Sequence, residues 1–148
     1  MRIVLLEDDD LQAGEIEDAL KRVAPSVVVE WIYSESAFRT QLNEIKKHPP
    51  QGFIIDLLVL WAEPGEEPET PKDLDIDKEG HYRAGLRCIE LIRREASLRT
   101  VPVILFTVIG REDIGHTLDS LDVQYRQKDQ GTETFAKWAI GLFRGKKS

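Results

Sequence analysis

Five short apolar runs, each followed by a stretch of helical period, restrict this chain to very few architectures. The runs Arg2 to Leu6, Val27 to Tyr33, Phe53 to Leu58, Pro102 to Thr107 and Val123 to Gln127 are rich in Val, Ile, Leu and aromatics, as strands buried on both faces require. Leu11, Ile16, Leu20 and Val23 recur at helical spacing after the first run, and Phe38, Leu42 and Ile45 after the second. Leu86, Ile89 and Ile92 follow the third, and Ile114, Leu118 and Leu121 the fourth, less regularly. The last helix is expected from about Thr132 to Phe143, with Thr132 capping its first turn and Phe135, Trp138, Ala139 and Leu142 on one face. Parallel strands need right-handed crossovers, so five β-α pairs predict an α/β fold, a doubly wound five-stranded parallel sheet with helices on both faces. Ligands of such sheets bind at the carboxyl ends of the strands.

At 148 residues, 41% of them hydrophobic, the chain suits one globular domain spanning 1–148. Its formal net charge of −7 repels polyanions and argues against nucleic acid as a partner. Cys88 is the single cysteine, which excludes an internal disulfide framework and a multi-thiolate metal site and fits a reducing, cytoplasmic setting. The apolar start, Met1 to Leu6, is cut short by Glu7 to Asp10, too soon for a signal-peptide core or a membrane span, so no membrane role is expected.

One stretch breaks the alternation. Residues 61–81 carry Pro64, Gly65, Pro68 and Pro71 among eight acidic residues, against only Lys72 and Lys78, a composition that favours a solvated loop. Joining the third strand to the third helix, this acidic, Pro-rich insertion must emerge beside the ligand edge.

The same edge collects the polar residues of interest. Glu7 and Asp8 end the first strand, and Asp56 interrupts the apolar run Phe53 to Leu60, where a carboxylate is costly to desolvate unless paired or bound to a cation. A nearby lysine or backbone donors would satisfy Asp56 structurally. If strands one and three are neighbours, three carboxylates crowd together, and hard oxygen ligands of this kind suit Mg²⁺. Thr107 ends the fourth strand and Lys128 the fifth. A hydroxyl and an ammonium beside a carboxylate can donate to and neutralise a phosphoryl group. Taken singly, Thr107 is an ordinary strand-end residue and Lys128 an ordinary surface charge; the constellation is what points to chemistry.

The blocks Ile3-Val4-Leu5-Leu6-Glu7-Asp8-Asp9, Ile54-Ile55-Asp56, Val103-Ile104-Leu105-Phe106-Thr107 and Tyr125-Arg126-Gln127-Lys128 resemble those of response-regulator receiver domains, the CheY-like family, over nearly the whole chain. The resemblance implies the flavodoxin-like (βα)5 receiver fold. It also implies a module of two-component phosphorelay signalling rather than an enzyme, with at most its own phosphorylation and dephosphorylation to catalyse. In the family the residue matching Asp56 accepts a phosphoryl group from a sensor histidine kinase or phosphotransfer protein. Asp8, Asp56 and the Leu58 backbone carbonyl would bind Mg²⁺, with Glu7 acting largely through water. Lys128 would pair with the phosphoryl oxygens, Thr107 would swing toward them, and Tyr125 would rotate inward. That motion would remodel the face of the fourth helix, fifth strand and fifth helix, through which a downstream protein target or a homodimer partner would dock.

Departures from the pattern shape the alternative. Bulky Val108 follows Thr107 where a very small residue is usual, Asp129 replaces the usual proline after Lys128, and about twenty extra residues precede Gly85 relative to ordinary βα loops. These favour a pseudo-receiver, a phosphorylation-independent protein-binding module. Leu58 and Ile109 occupy positions that order the attacking water in the family, and both are apolar, which predicts slow hydrolysis of an acyl phosphate. Leu58 also stands where a haloacid-dehalogenase-type hydrolase needs a second Asp, and no Gly-rich phosphate loop follows the first strand. Asp73 to Asp77 fails the EF-hand pattern at Lys78 and Ala84, and His48, His81 and His116 lack metal-ligand spacing. Cys88 reads as a buried inert thiol. Trp31 and Trp138 read as core or half-core aromatics, and Trp61 as the one best placed for an exposed contact.

Overall fold

A computed structural model describes residues 1–67, 69, 83–129 and 131–145. Most of the 61–81 insertion, including Asp73 to Asp77 and His81, lies outside the described residues. The chain runs β1 (Arg2–Leu6), α1 (Asp10–Val23), β2 (Val28–Ile32), α2 (Glu35–Lys47), β3 (Gly52–Ile55), α3 (Ala84–Arg94), β4 (Val103–Thr107), α4 (Arg111–Ile114), a 3₁₀ turn (Gly115–Ser120), β5 (Gln124–Gln127) and α5 (Thr132–Phe143). The five strands pair in parallel in the order β2-β1-β3-β4-β5, the doubly wound sheet expected from the sequence.

Strand periodicity divides the interior in two. Val4, Leu6, Phe53, Ile55, Val103 and Leu105 point to one face, where Phe38 and Ile45 of α2 and Ile89 and Ile92 of α3 cover them. Ile3, Leu5, Ile54, Ile104 and Phe106 point to the other, against Ile16 and Leu20 of α1 and Phe135, Ile140 and Phe143 of α5. Every one of these side chains is at most 6% exposed, so β1, β3 and β4 are buried on both faces. The register aligns Leu6 with Ile55, and Ile55 with Leu105, which brings the carboxyl ends of the central strands to one level.

Four local expectations need correction. β3 ends at Ile55 rather than Leu58: the Asp56 N–H still joins the ladder through the Leu6 carbonyl (3.0 Å), after which Leu58 N–H turns back to Asp56 Oδ1 (3.3 Å) and Gly85 N–H takes the Leu57 carbonyl (3.0 Å). The fourth helix lasts one turn, because Gly115 at φ 82° leaves the helical basin. Thr132 is the first helical residue of α5; the N-cap is Gly131, and no side chain caps it. Leu11 is 72% exposed, since its spacing to Ile16 rotates it off the buried stripe of Ala13, Ile16, Ala19 and Leu20.

Candidate functional site

The acidic and basic residues at the strands' carboxyl edge meet through Lys128. Its ammonium donates to Glu7 Oε1 at 2.6 Å, to Asp56 Oδ2 at 2.9 Å and to Gln12 Oε1 at 2.5 Å. Each partner is positioned by a different element: Glu7 directly follows β1, Asp56 follows β3, and Gln12 stands in the first turn of α1. Lys128 follows β5, where its N–H extends the parallel ladder to the Thr107 carbonyl (2.8 Å). Glu7 is 2% exposed and Asp56 8%.

Two carboxylates on one ammonium, with Asp8 close by, leave an excess of negative charge in a partly dry site. The Glu7 carboxyl is consequently pushed up to about 7, first by burial and then by the Asp56 charge, against the opposing pull of Lys128. Asp8 is raised for the same leading reason, burial. Lys128 is raised by the two carboxylates, which outweigh its own desolvation.

Asp8 stands apart from the ammonium: its Oδ2 accepts from the Leu60 N–H at 3.0 Å. Among the described residues no three His, Cys, Asp or Glu side chains converge closely enough to hold a metal. The donor set nevertheless fits Mg²⁺, because hard oxygens in charge excess over their one ammonium are what a small divalent cation neutralises. Glu7, Asp8, Asp56 and the Leu58 carbonyl are the ligands that the family resemblance implies for it.

Thr107 is fully buried, its Oγ1 accepting from the Ile109 N–H at 3.4 Å, and the Tyr125 hydroxyl donates to the Ile109 carbonyl at 2.5 Å. The short Thr107–Ile109 turn thus ties the two residues expected to move together. Val108 at its apex is 53% exposed and lines, with Gln12, Glu15, Ile16, Phe106, Lys128 and Thr132, a cavity of about 270 Å³ beside the ammonium. The Val108 side chain therefore stands at the mouth of the site rather than plugging it. The peptide before Asp129 is trans, there being no cis bond among the described residues.

Sequence reading missed Gln12, whose role appears only once the first turn of α1 is brought to the Lys128 ammonium. It also missed Glu35, a fully buried carboxylate held in bidentate fashion by Arg87 (2.8 and 2.6 Å) and at Oε2 alone by two nitrogens of Arg39 (3.0 and 3.2 Å). Cys88 is fully buried next to this group, and burial together with the Glu35 charge pushes its thiol well up, in keeping with an inert side chain. Trp61 is half-buried beneath the Arg39 guanidinium, 5.9 Å from the ring centroid, whereas Trp31 is the more exposed tryptophan at 41%. Trp31 lies on the edge strand β2, which has a neighbour on one side only, and its indole N–H reaches the Glu7 carbonyl (2.6 Å).

No protein-family model and no curated protein sequence matches the chain. Solved structures do. The signal receiver domain of a DNA-binding response regulator from Colwellia psychrerythraea 34H superposes with a TM-score of 0.69 at 16% identity, over 97% of this chain and 98% of that one. The phosphorylated cyanobacterial phytochrome response regulator RcpA gives 0.69 at 18% identity, over 99% and 96%. The Mn²⁺-bound form of response regulator Rcp1 gives 0.63 at 20% identity, over 95% and 90%. At these identities the likeness establishes the fold: the chain has the CheY-like, flavodoxin-like receiver fold.

Proposed function

We propose that this protein is a phosphoryl-accepting receiver of a two-component relay, with Asp56 as acceptor. The observation that carries the reading is the Lys128 ammonium bridging Asp56 and Glu7 at the end of the sheet, with the fully buried Thr107 closing the neighbouring strand. A histidine kinase or phosphotransfer protein is the donor. The P–N bond of its phosphohistidine breaks as an Asp56 Oδ–P bond forms, and the released imidazole takes up a proton. Mg²⁺, when bound, supplies charge neutralisation to the phosphoryl oxygens. Leu58 N–H and Lys128 hold Asp56 by its two oxygens, which fixes the carboxylate against rotation before transfer. Lys128 then has new acceptors in the phosphoryl oxygens, and the Thr107 hydroxyl, whose oxygen accepts from the Ile109 N–H, can donate its own proton to them.

Because Tyr125 donates to that same Ile109, displacement of the Thr107–Ile109 turn reaches the β5 edge strand. The surface of α4, β5 and α5 is accordingly the docking face for a downstream protein or a second copy. The net charge of −7 argues for protein partners rather than nucleic acid, and the single cysteine fits a cytoplasmic setting. No helix among the described residues is long and apolar enough to cross a membrane.

A second reading, the phosphorylation-independent pseudo-receiver, is favoured by the segment after β5, where Asp129 stands in place of the family's usual proline and the peptide before it is trans. Beryllofluoride with Mg²⁺, an acyl-phosphate mimic, separates the two. A saturable, Mg²⁺-dependent change in amide chemical shifts around Thr107 and Tyr125, abolished by Asp56→Asn, supports the receiver. A folded protein that does not respond supports the pseudo-receiver.

A further inference from the structure

The Leu60–Trp61 peptide joins the acidic pocket to the first turn of α2. On one side the Leu60 N–H donates to Asp8 Oδ2 (3.0 Å). On the other, the Leu60 carbonyl accepts from the Glu35 N–H (2.9 Å) and the Trp61 carbonyl from the Ser36 N–H (2.8 Å). These amides belong to the N-terminal turn of α2, where Ser34 Oγ accepts one backbone amide, that of Ala37. Glu35 is the rigid end of the connection: fully buried, it is clamped to Arg87 of α3 and to Arg39, whose guanidinium lies over the Trp61 ring. A single polar chain therefore runs from Asp8 through residues 60–61 to the surface carrying Trp61 and Arg39. That surface lies on the β2 side of the sheet, away from Tyr125.

We propose that this chain transmits the engagement of Asp8 to the Trp61–Arg39 surface, giving the domain a second responsive face besides that of Tyr125. A carboxylate that neutralises a cation offers less charge to the Leu60 N–H, which lowers the barrier to opening residues 60–61 and the α2 turn they complete. Linkage makes the effect reciprocal: a protein bound over Trp61 and Arg39 alters cation affinity in the pocket. The cation arm rests on the receiver reading above, but the Asp8–Leu60–α2 connection does not.

The test is amide hydrogen exchange of Leu60, Glu35 and Ser36 by NMR. In Asp8→Ala without metal all three amides should exchange about tenfold faster, the loss of a charge-assisted hydrogen bond to the anchor, whereas Asp56→Asn should leave Glu35 and Ser36 unchanged. Equal protection in Asp8→Ala and wild type overturns the inference. In the wild-type chain, Mg²⁺ alone should also change Glu35 and Ser36 exchange. Mg²⁺-dependent shifts at Asp56 and Leu58 with Glu35 and Ser36 silent overturn the inference while sparing the receiver reading. Silence throughout, with the Asp8→Ala effect present, supports the connection and overturns metal binding instead.

Discussion

Glu7→Gln should stabilise the fold at neutral and alkaline pH and have almost no effect in acid. The carboxyl is pushed up to about 7 from an ordinary 4.5, so between these values the folded protein holds a proton that the unfolded chain has released. Stability must then fall as pH rises through this window, reaching the full penalty above pH 7. The gap corresponds to at most about 3 kcal/mol. Lys128 adds nothing within the window, because its raised pKa places its titration far above it. An isosteric Gln keeps a neutral acceptor for Lys128 and removes the charge that burial and Asp56 disfavour. Urea melts of both proteins at pH 4.5 and 8 check the reasoning through their midpoints. The variant should gain up to about 3 kcal/mol at pH 8 and nothing measurable at pH 4.5. Saturating Mg²⁺ at pH 8 should return most of that difference to the wild type, whose ionised carboxylates then have a counter-charge. Destabilisation of Glu7→Gln at pH 8, or a gain independent of pH, would refute the account of the pocket as a site with excess negative charge.

Gly85→Ala places a Cβ 2.3 Å from the Asp56 carbonyl oxygen and 2.7 Å from the Leu57 Cα, so backbone must shift. A loss of about 1–3 kcal/mol in urea melts is expected, together with a weakened beryllofluoride response, and an unaltered response would mean that the acceptor loop tolerates displacement. Arg87→Met leaves the buried Glu35 with Arg39 alone and should cost about 3–5 kcal/mol, much of it recovered in the Glu35→Leu, Arg87→Met double variant; no recovery would show that the arginine acts through packing rather than charge. The acyl phosphate on Asp56 should decay slowly, since half-buried, apolar Leu58 and Ile109 cannot order a water; decay within seconds, followed by phosphorus NMR or acid-labile label, contradicts this.

The apolar pattern alone determined the architecture, because strands buried on both faces leave continuous runs such as Val103-Ile104-Leu105-Phe106 that little else explains. It also placed Glu7, Asp56, Thr107 and Lys128 at one edge, since a parallel sheet puts all strand ends on the same side. Helix four was only half legible: its apolar residues keep helical spacing, but Gly115 ends the α-helix after one turn, and Leu118 reaches the core from a 3₁₀ turn instead. Other features depend on which element lies next to which. The sequence places Lys128 at the phosphoryl site, but that it bridges Glu7, Asp56 and Gln12 shows only in the packed fold. Glu35 and Arg87, fifty-two residues apart, carry no local signature of pairing. Nor does the chain foretell that the Leu60 amide serves Asp8, also fifty-two residues away. Periodicity encodes which way a side chain faces, whereas hydrogen bonds and ion pairs require distances that only packed elements define.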